Sequence, residues 1–152
     1  MSESLRLSDE AQQALDRAYA EARRFRHRSV GTEHLLIALC GDESAAARVL
    51  GNYGVSEAAV RTTLEMSVPV GLTPAWQEID DAPALRAALR RADDAARARG
   101  AREVSPAQLL AGLIEDASSP AARMLAFMGV DLDWLRKRLD GPHQSPPDRS
   151  SD

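Results

Sequence analysis

Residues 30–39 read VGTEHLLIAL, and residues 104–113 read VSPAQLLAGL. Val30, Leu35, Leu36 and Leu39 recur in the second stretch as Val104, Leu109, Leu110 and Leu113, 74 places on. The leucines step by one, three and four, the spacing of a helix face turned to a core. What does not recur is the opening turn, where Gly31-Thr32-Glu33-His34 is answered by Ser105-Pro106-Ala107-Gln108. The first copy carries a carboxylate there and the second does not.

The match extends outward from this pair. A shift of 74 makes 11 of the 26 positions from Ala14 to Leu39 identical, and a shift of 75 does so for 8 of the 19 from Ala46 to Leu64. Chance in an Ala- and Arg-rich chain supplies roughly a tenth of such matches, so the excess marks an internal duplication. Each copy reads as four helices, at about 8–26, 32–40, 45–51 and 56–66, and at about 82–99, 105–115, 119–127 and 131–140. In the first helix Ala11, Leu15, Ala18, Ala22 and Phe25 share a face, behind Ser8 as cap and with Asp9 and Glu10 in the first turn.

Punctuation supports these limits. Ser105-Pro106-Ala107-Gln108 has a serine cap, a proline where no amide is needed, and a glutamine that reaches back to the cap; Ser119-Pro120 repeats the start. Gly54 and Gly129, at matching places, suit a left-handed turn before Ser56 and Asp131. Strand patterning is nearly absent. The fold class expected is all-α: a duplicated four-helix repeat, two pseudo-symmetric copies making one domain over 1–140. Repeat one spans about 7–66, a Pro- and Gly-interrupted linker 67–80, and repeat two about 81–140. The polar stretch GPHQSPPDRSSD, 141–152, has too little apolar content to order itself.

The 152 residues suit a single body. They are 44% apolar and only 4% aromatic, which predicts a core of Ala, Leu and Val. A net charge of −4 and a pI near 5.4 argue against a nucleic-acid partner or an anionic membrane surface. No apolar run approaches the roughly 20 residues of a membrane span, and the start MSESLRLSDE is acidic where a signal peptide is basic. The expected location is the cytoplasm. The single cysteine, Cys40, makes no internal disulfide and reads as a buried thiol. With no His-Glu-x-x-His, no paired cysteines and no Gly-x-Ser-x-Gly, neither a metal site nor a hydrolase is indicated, and no cofactor is expected. Trp134 is predicted to be core, and Trp76 in the linker is a candidate anchor for a partner.

Two readings of Glu33 stand side by side. A carboxylate in a first helical turn is stabilising with no ligand at all, by about 0.3–1 kcal/mol. The same carboxylate beside unpaired amides is a place for a ligand bearing a guanidinium and an anion. Since repeat two packs the same leucines without it, Glu33 is not required for packing.

The string VGTEHLLIAL and the duplication resemble the N-terminal domain of Clp ATPases, especially the ClpC type, over about residues 5–140. The resemblance implies a bundle of two four-helix repeats that recruits substrates and adaptors to an unfoldase and in some members recognises phosphoarginine. Thr32 and Glu33 then fall on the family's Thr-Glu, and Ser8 on a hydroxyl residue implied to lie near the same pocket. Repeat two holds Pro106, Ala107 and Ala82 at the corresponding places, so a second phosphoarginine site should be absent. The chain has no Gly-x-x-x-x-Gly-Lys-Ser/Thr, its only lysine being Lys137, so it lacks that ATPase machinery.

The reading is a non-enzymatic, stand-alone binding protein whose partners are a Clp ATPase, its adaptors or its substrates, including arginine-phosphorylated ones, with Thr32, Glu33 and Ser8 as ligand-binding residues. Its role would be that of adaptor, competitor or decoy. The alternatives are a structural helical repeat that dimerises through Ala-rich faces, and an enzyme using Glu33 and His34 as acid and base.

Overall fold

A computed structural model describes residues 5–41 and 44–140. Each repeat runs strand, helix, strand, then three helices. In repeat one these are β1 (Arg6–Leu7), α1 (Asp9–Arg24), β2 (Ser29–Val30), α2 (Thr32–Cys40), α3 (Ala45–Asn52) and α4 (Glu57–Ser67). In repeat two they are β3 (Asp80–Asp81), α5 (Pro83–Ala98), β4 (Glu103–Val104), α6 (Pro106–Glu115), α7 (Pro120–Phe127) and α8 (Leu132–Asp140). The fold is all-α, as expected. The two-residue strands are an addition, because a strand that short has no alternation to read.

The strands pair in parallel across the repeats, β1 with β4 and β2 with β3. This exchange decides which helix starts are neighbours. Ser8 donates its amide to the Val104 carbonyl (2.9 Å), placing the start of α1 beside the start of α6. Ala82 donates to the Val30 carbonyl (2.8 Å), placing the start of α5 beside the start of α2.

The core confirms the small-residue reading. Ala11, Ala14, Ala18 and Ala22 of α1 and Ala88, Ala92 and Ala96 of α5 are buried against the leucines of α2 and α6. Those Ala-rich faces are therefore spent inside one molecule and are not available to a dimer. α5 and α6 approach closely at Gly112, where a Cβ would run into the Ala88 carbonyl and the Ala92 side chain. Arg17 donates to the Ala38 carbonyl (3.2 Å) and Arg91 to the Gly112 carbonyl (3.3 Å), the same bond in each repeat.

Among the described residues, repeat one has a fastening without a counterpart in repeat two. Arg61 of α4 grips the buried Glu21 of α1 with two nitrogens (2.6 and 3.2 Å) and also Glu57 (3.1 Å). Gly54 and Gly129 have positive φ, 78° and 91°, as expected of turns ahead of α4 and α8. Gly100 (74°) matches a position held in repeat one by Arg26, which adopts φ of 57° despite its side chain. That strained residue receives the linker: its carbonyl accepts from the Thr73 amide (3.1 Å) and its Nε donates to the Thr73 carbonyl (3.2 Å). The residues from 141 on, predicted to lack order, lie outside the described residues.

Candidate functional site

Glu33 is the second residue of α2, behind Gly31 as the cap. The Gly31 backbone is extended, φ −113° and ψ 180°, so its glycine is not needed for conformation. It is needed for space, because a Cβ there would collide with the Glu33 carboxylate, which folds back over the helix start. Oε1 of that carboxylate is buried and has no hydrogen-bond partner among the described residues. A buried acceptor left unpaired costs about 1–3 kcal/mol, so it is a point where a donor from outside is strongly favoured.

The helix starts around it differ from those at the other end. Neither Gly31 nor Ala82 offers a side-chain cap to α2 or α5, so the first-turn amides there have no cap of that kind. At the opposite pair, Ser8 accepts from the Ala11 amide (3.1 Å) and Ser105 from the Gln108 amide (3.3 Å). Among the described residues, a carboxylate with a buried unpaired oxygen thus coincides with uncapped starts at the α2–α5 end.

The three residues proposed from sequence do not form one site. Ser8 and Glu33 lie at opposite ends of α1, whose sixteen residues span about 24 Å. The placement of Ser8 in the Glu33 pocket is therefore corrected: strand exchange brings Ser8 to Val104 and repeat two. Thr32 is next to Glu33 but fully buried, and its hydroxyl accepts from the Ala121 amide (3.1 Å) at the start of α7. It ties the repeats together. Of the three, Glu33 lines a groove of about 460 Å³ between α4 and α7, with Thr63, Val68, Arg123 and Phe127. Phe127, 77% exposed, forms an apolar wall beside Arg123.

Sequence reasoning missed the pairing of His34 with His27. His34 Nδ1 accepts from the Gly31 amide (2.9 Å), which places the proton of the neutral ring on Nε2. That Nε2 donates to His27 Nδ1 (2.9 Å), and His27 Nε2 donates in turn to the Pro69 carbonyl (3.1 Å). A relay therefore runs from the helix start to the linker. Burial, with the neighbouring His27, pushes the His34 pKa from 6.5 down to about 3. Both ring nitrogens are occupied, which removes His34 as the base of an enzymatic reading. The signal was present: His34 holds the position of Gln108, whose Oε1 accepts from the Ser105 amide in the same way (2.9 Å).

The other candidates fall as follows. Trp76 is 82% exposed and stands in a linker that also exposes Val70 and Leu72. Trp134, expected in the core, is 41% exposed; its ring meets Tyr53 edge-on and lies under Arg138. Cys40 is only partly buried, packed at the margin of the core. Among the described residues no group of three or more His, Cys, Asp or Glu is arranged to hold a metal, and no helix is long and apolar enough to cross a membrane.

Comparison with known proteins agrees with this architecture. The family model described as "Clp repeat (R) N-terminal domain" matches residues 6–125 and 82–152. Chaperone protein ClpB of Oceanobacillus iheyensis is 32% identical over 135 residues, and the negative regulator of genetic competence ClpC/MecB of Bacillus subtilis is 31% identical over 135. Both alignments cover 88% of this chain but only 17% and 16% of those proteins, so the chain spans about a sixth of their length. Among solved structures, the N-terminal domain of ClpD from Arabidopsis thaliana superposes with a TM-score of 0.74 at 19% identity, covering 92% of this chain and 96% of that one. The N-domain of ClpV from Vibrio cholerae does so with a TM-score of 0.70 at 17% identity, covering 91% and 90%. Repeat, fold and sequence agree, and the chain belongs to the Clp repeat N-terminal domain family.

Proposed function

We propose that this chain is a non-enzymatic protein-binding module that engages proteins otherwise handled by a Clp unfoldase, as adaptor, competitor or decoy, and that it holds one phosphoarginine side chain at the start of α2. The observation that carries the reading is the Glu33 carboxylate, whose buried Oε1 has no partner among the described residues and lies beside uncapped helix starts. A guanidinium supplies the forked donors that a carboxylate accepts, while first-turn amides and the positive end of the helix suit its phosphoryl group. Thr32 contributes by fixing α2 against α7, and Ser8 takes no part. The partners are a Clp ATPase, its adaptors or its arginine-phosphorylated substrates, and the compartment is the cytoplasm.

Calorimetry with a phosphoarginine peptide tests this. Wild type is expected to bind, and Glu33→Ala to bind about thirtyfold or more weakly, the effect of removing one partner of a desolvated charge pair. Equal heats from both proteins would sink the reading.

A further inference from the structure

The geometry points to the residues that flank the phosphoarginine: the partner segment runs from Glu33 along the α4–α7 groove, setting an apolar side chain against Phe127 and an acidic one against Arg123. This rests on the phosphoarginine reading and narrows the substrates of that site. At about 460 Å³ the groove has room for more than the modified side chain. Its layout follows from one bond, in which the Thr32 hydroxyl accepts from the Ala121 amide (3.1 Å) and brings the starts of α2 and α7 together. Arg123 lies two residues past that contact, and Phe127 a further turn on, about 6 Å along α7. The start of α7 is itself closed to an anion, since Thr32 takes the Ala121 amide, Ser119 takes the Ala122 amide and Pro120 has none. The phosphoryl group therefore belongs to the uncapped starts of α2 and α5, and Arg123 is left for a neighbouring residue.

Two observations set the chemistry of those neighbours. Leu64, Val68, Met124 and Phe127 make the groove apolar, and Phe127 leaves most of its ring to water, a surface that an apolar anchor from a partner covers. Arg123 is exposed in the same groove, and among the described residues its side chain makes no hydrogen bond or ion pair. Elsewhere arginines are matched from within: Arg61 by Glu21 and Glu57, Arg97 by Asp93, and Arg136 by Asp133. Among the described residues lining the groove the acidic one is Glu33, and the guanidinium of the phosphoarginine takes that carboxylate up. Arg123 is then the unmatched charge, which attracts an acidic neighbour of the phosphoarginine and repels a basic one. The counterpart groove of repeat two, between α3 and α8, has Ala107 at the place of Glu33 and offers an arginine no carboxylate at that place.

The test uses the full chain and three synthetic peptides, followed by fluorescence anisotropy at low salt. All three carry one phosphoarginine with a leucine on either side, and they differ at the two outer places, which hold aspartate, alanine or lysine. Wild type is expected to favour the aspartate peptide over the lysine peptide by about tenfold, with alanine between. The net charge of −4 opposes that order, so the preference reports the groove and not the whole chain. Arg123→Gln should lose the preference, Arg123→Glu should reverse it, and Phe127→Ser should weaken all three peptides by about tenfold with the aspartate preference kept. Binding of the three alike by wild type would overturn the proposal, as would an unchanged affinity in Phe127→Ser. An equal loss for all three peptides in Arg123→Gln would assign Arg123 to the phosphoryl group and overturn it too. Self-association of wild type in sedimentation, abolished by Phe127→Ser, would give the groove to a second copy of the chain instead. If wild type binds none of the peptides, the phosphoarginine reading falls and this one with it, whereas binding without preference sinks this one alone.

Discussion

The groove of repeat one and its counterpart in repeat two are framed by pseudo-symmetric helices, α4 with α7 and α8 with α3, yet one is headed by Glu33 and the other by Ala107. The difference begins two residues before the carboxylate. Gly31 makes room for Glu33 to fold over the helix start, whereas Ser105 fills that room and caps the helix itself. Repeat two is therefore finished as a piece of structure: serine, proline and glutamine satisfy α6 from within. Repeat one is left unfinished at the corresponding place, with a buried oxygen that has no partner among the described residues, and it is fastened elsewhere, by the Glu21–Arg61 pair and the His34–His27 relay. Duplication conserved the packing and let the two helix starts diverge, one toward stability and one toward binding.

That contrast can be attacked through the relay first, where the effect on stability is largest. In the folded chain the His34 pKa is depressed to about 3, against 6.5 for a free imidazole. Above pH 6.5 the ring is neutral folded and unfolded. As pH falls below that value the unfolded chain takes up a proton that the folded chain refuses, so stability is lost progressively down to about pH 3. The slope should approach about 1.4 kcal/mol per pH unit. In His34→Gln, which copies Gln108 and keeps an acceptor for the Gly31 amide, this contribution should vanish, as urea melts across that range will show.

The ion pair comes next. Glu21→Ala leaves Arg61 without its bidentate partner, and a loss of about 2–3 kcal/mol is expected in chemical denaturation, toward the low end of a buried pair because both side chains keep some exposure. Gly112→Ala forces a Cβ against the Ala88 carbonyl and should cost about 1–3 kcal/mol in the same assay, although Ala38 is tolerated at the matching place in repeat one. The smallest change in stability should come from Gly31→Ser, which converts the first helix start to the second's pattern. A serine cap differs from glycine by only a few tenths of a kcal/mol. Displacement of the Glu33 carboxylate should nonetheless weaken phosphoarginine binding by about tenfold, measured by calorimetry. A variant that stays stable while losing the ligand would separate the two roles assigned to that turn.

Much of this architecture was legible in the residues. The duplication, the eight helices and the glycine turns rest on local rules: leucine spacing in 35–39 and 109–113, the Ser105–Gln108 capping box, and the left-handed positions Gly54 and Gly129. The candidate site was legible only in Glu33. Ser8 was placed beside it by resemblance, but which helix starts meet depends on β1 pairing with β4 and β2 with β3, and pairing between two-residue strands leaves no local trace. Thr32 was drawn to the ligand by its neighbour, while its hydroxyl serves an amide 89 positions away. The grooves themselves, made by α4 with α7 and by α3 with α8, needed tertiary structure to be seen.

The account turns on there being one phosphoarginine site, headed by Glu33. A titration of the isotopically labelled protein with a phosphoarginine peptide, followed residue by residue in amide NMR spectra, tests this directly. The signals of Gly31 to His34, with Val68 and Phe127, should move together and saturate at a single equivalent, while those of Ser105 to Gln108 stay still. Movement of both sets in parallel, or of the second alone, would contradict it.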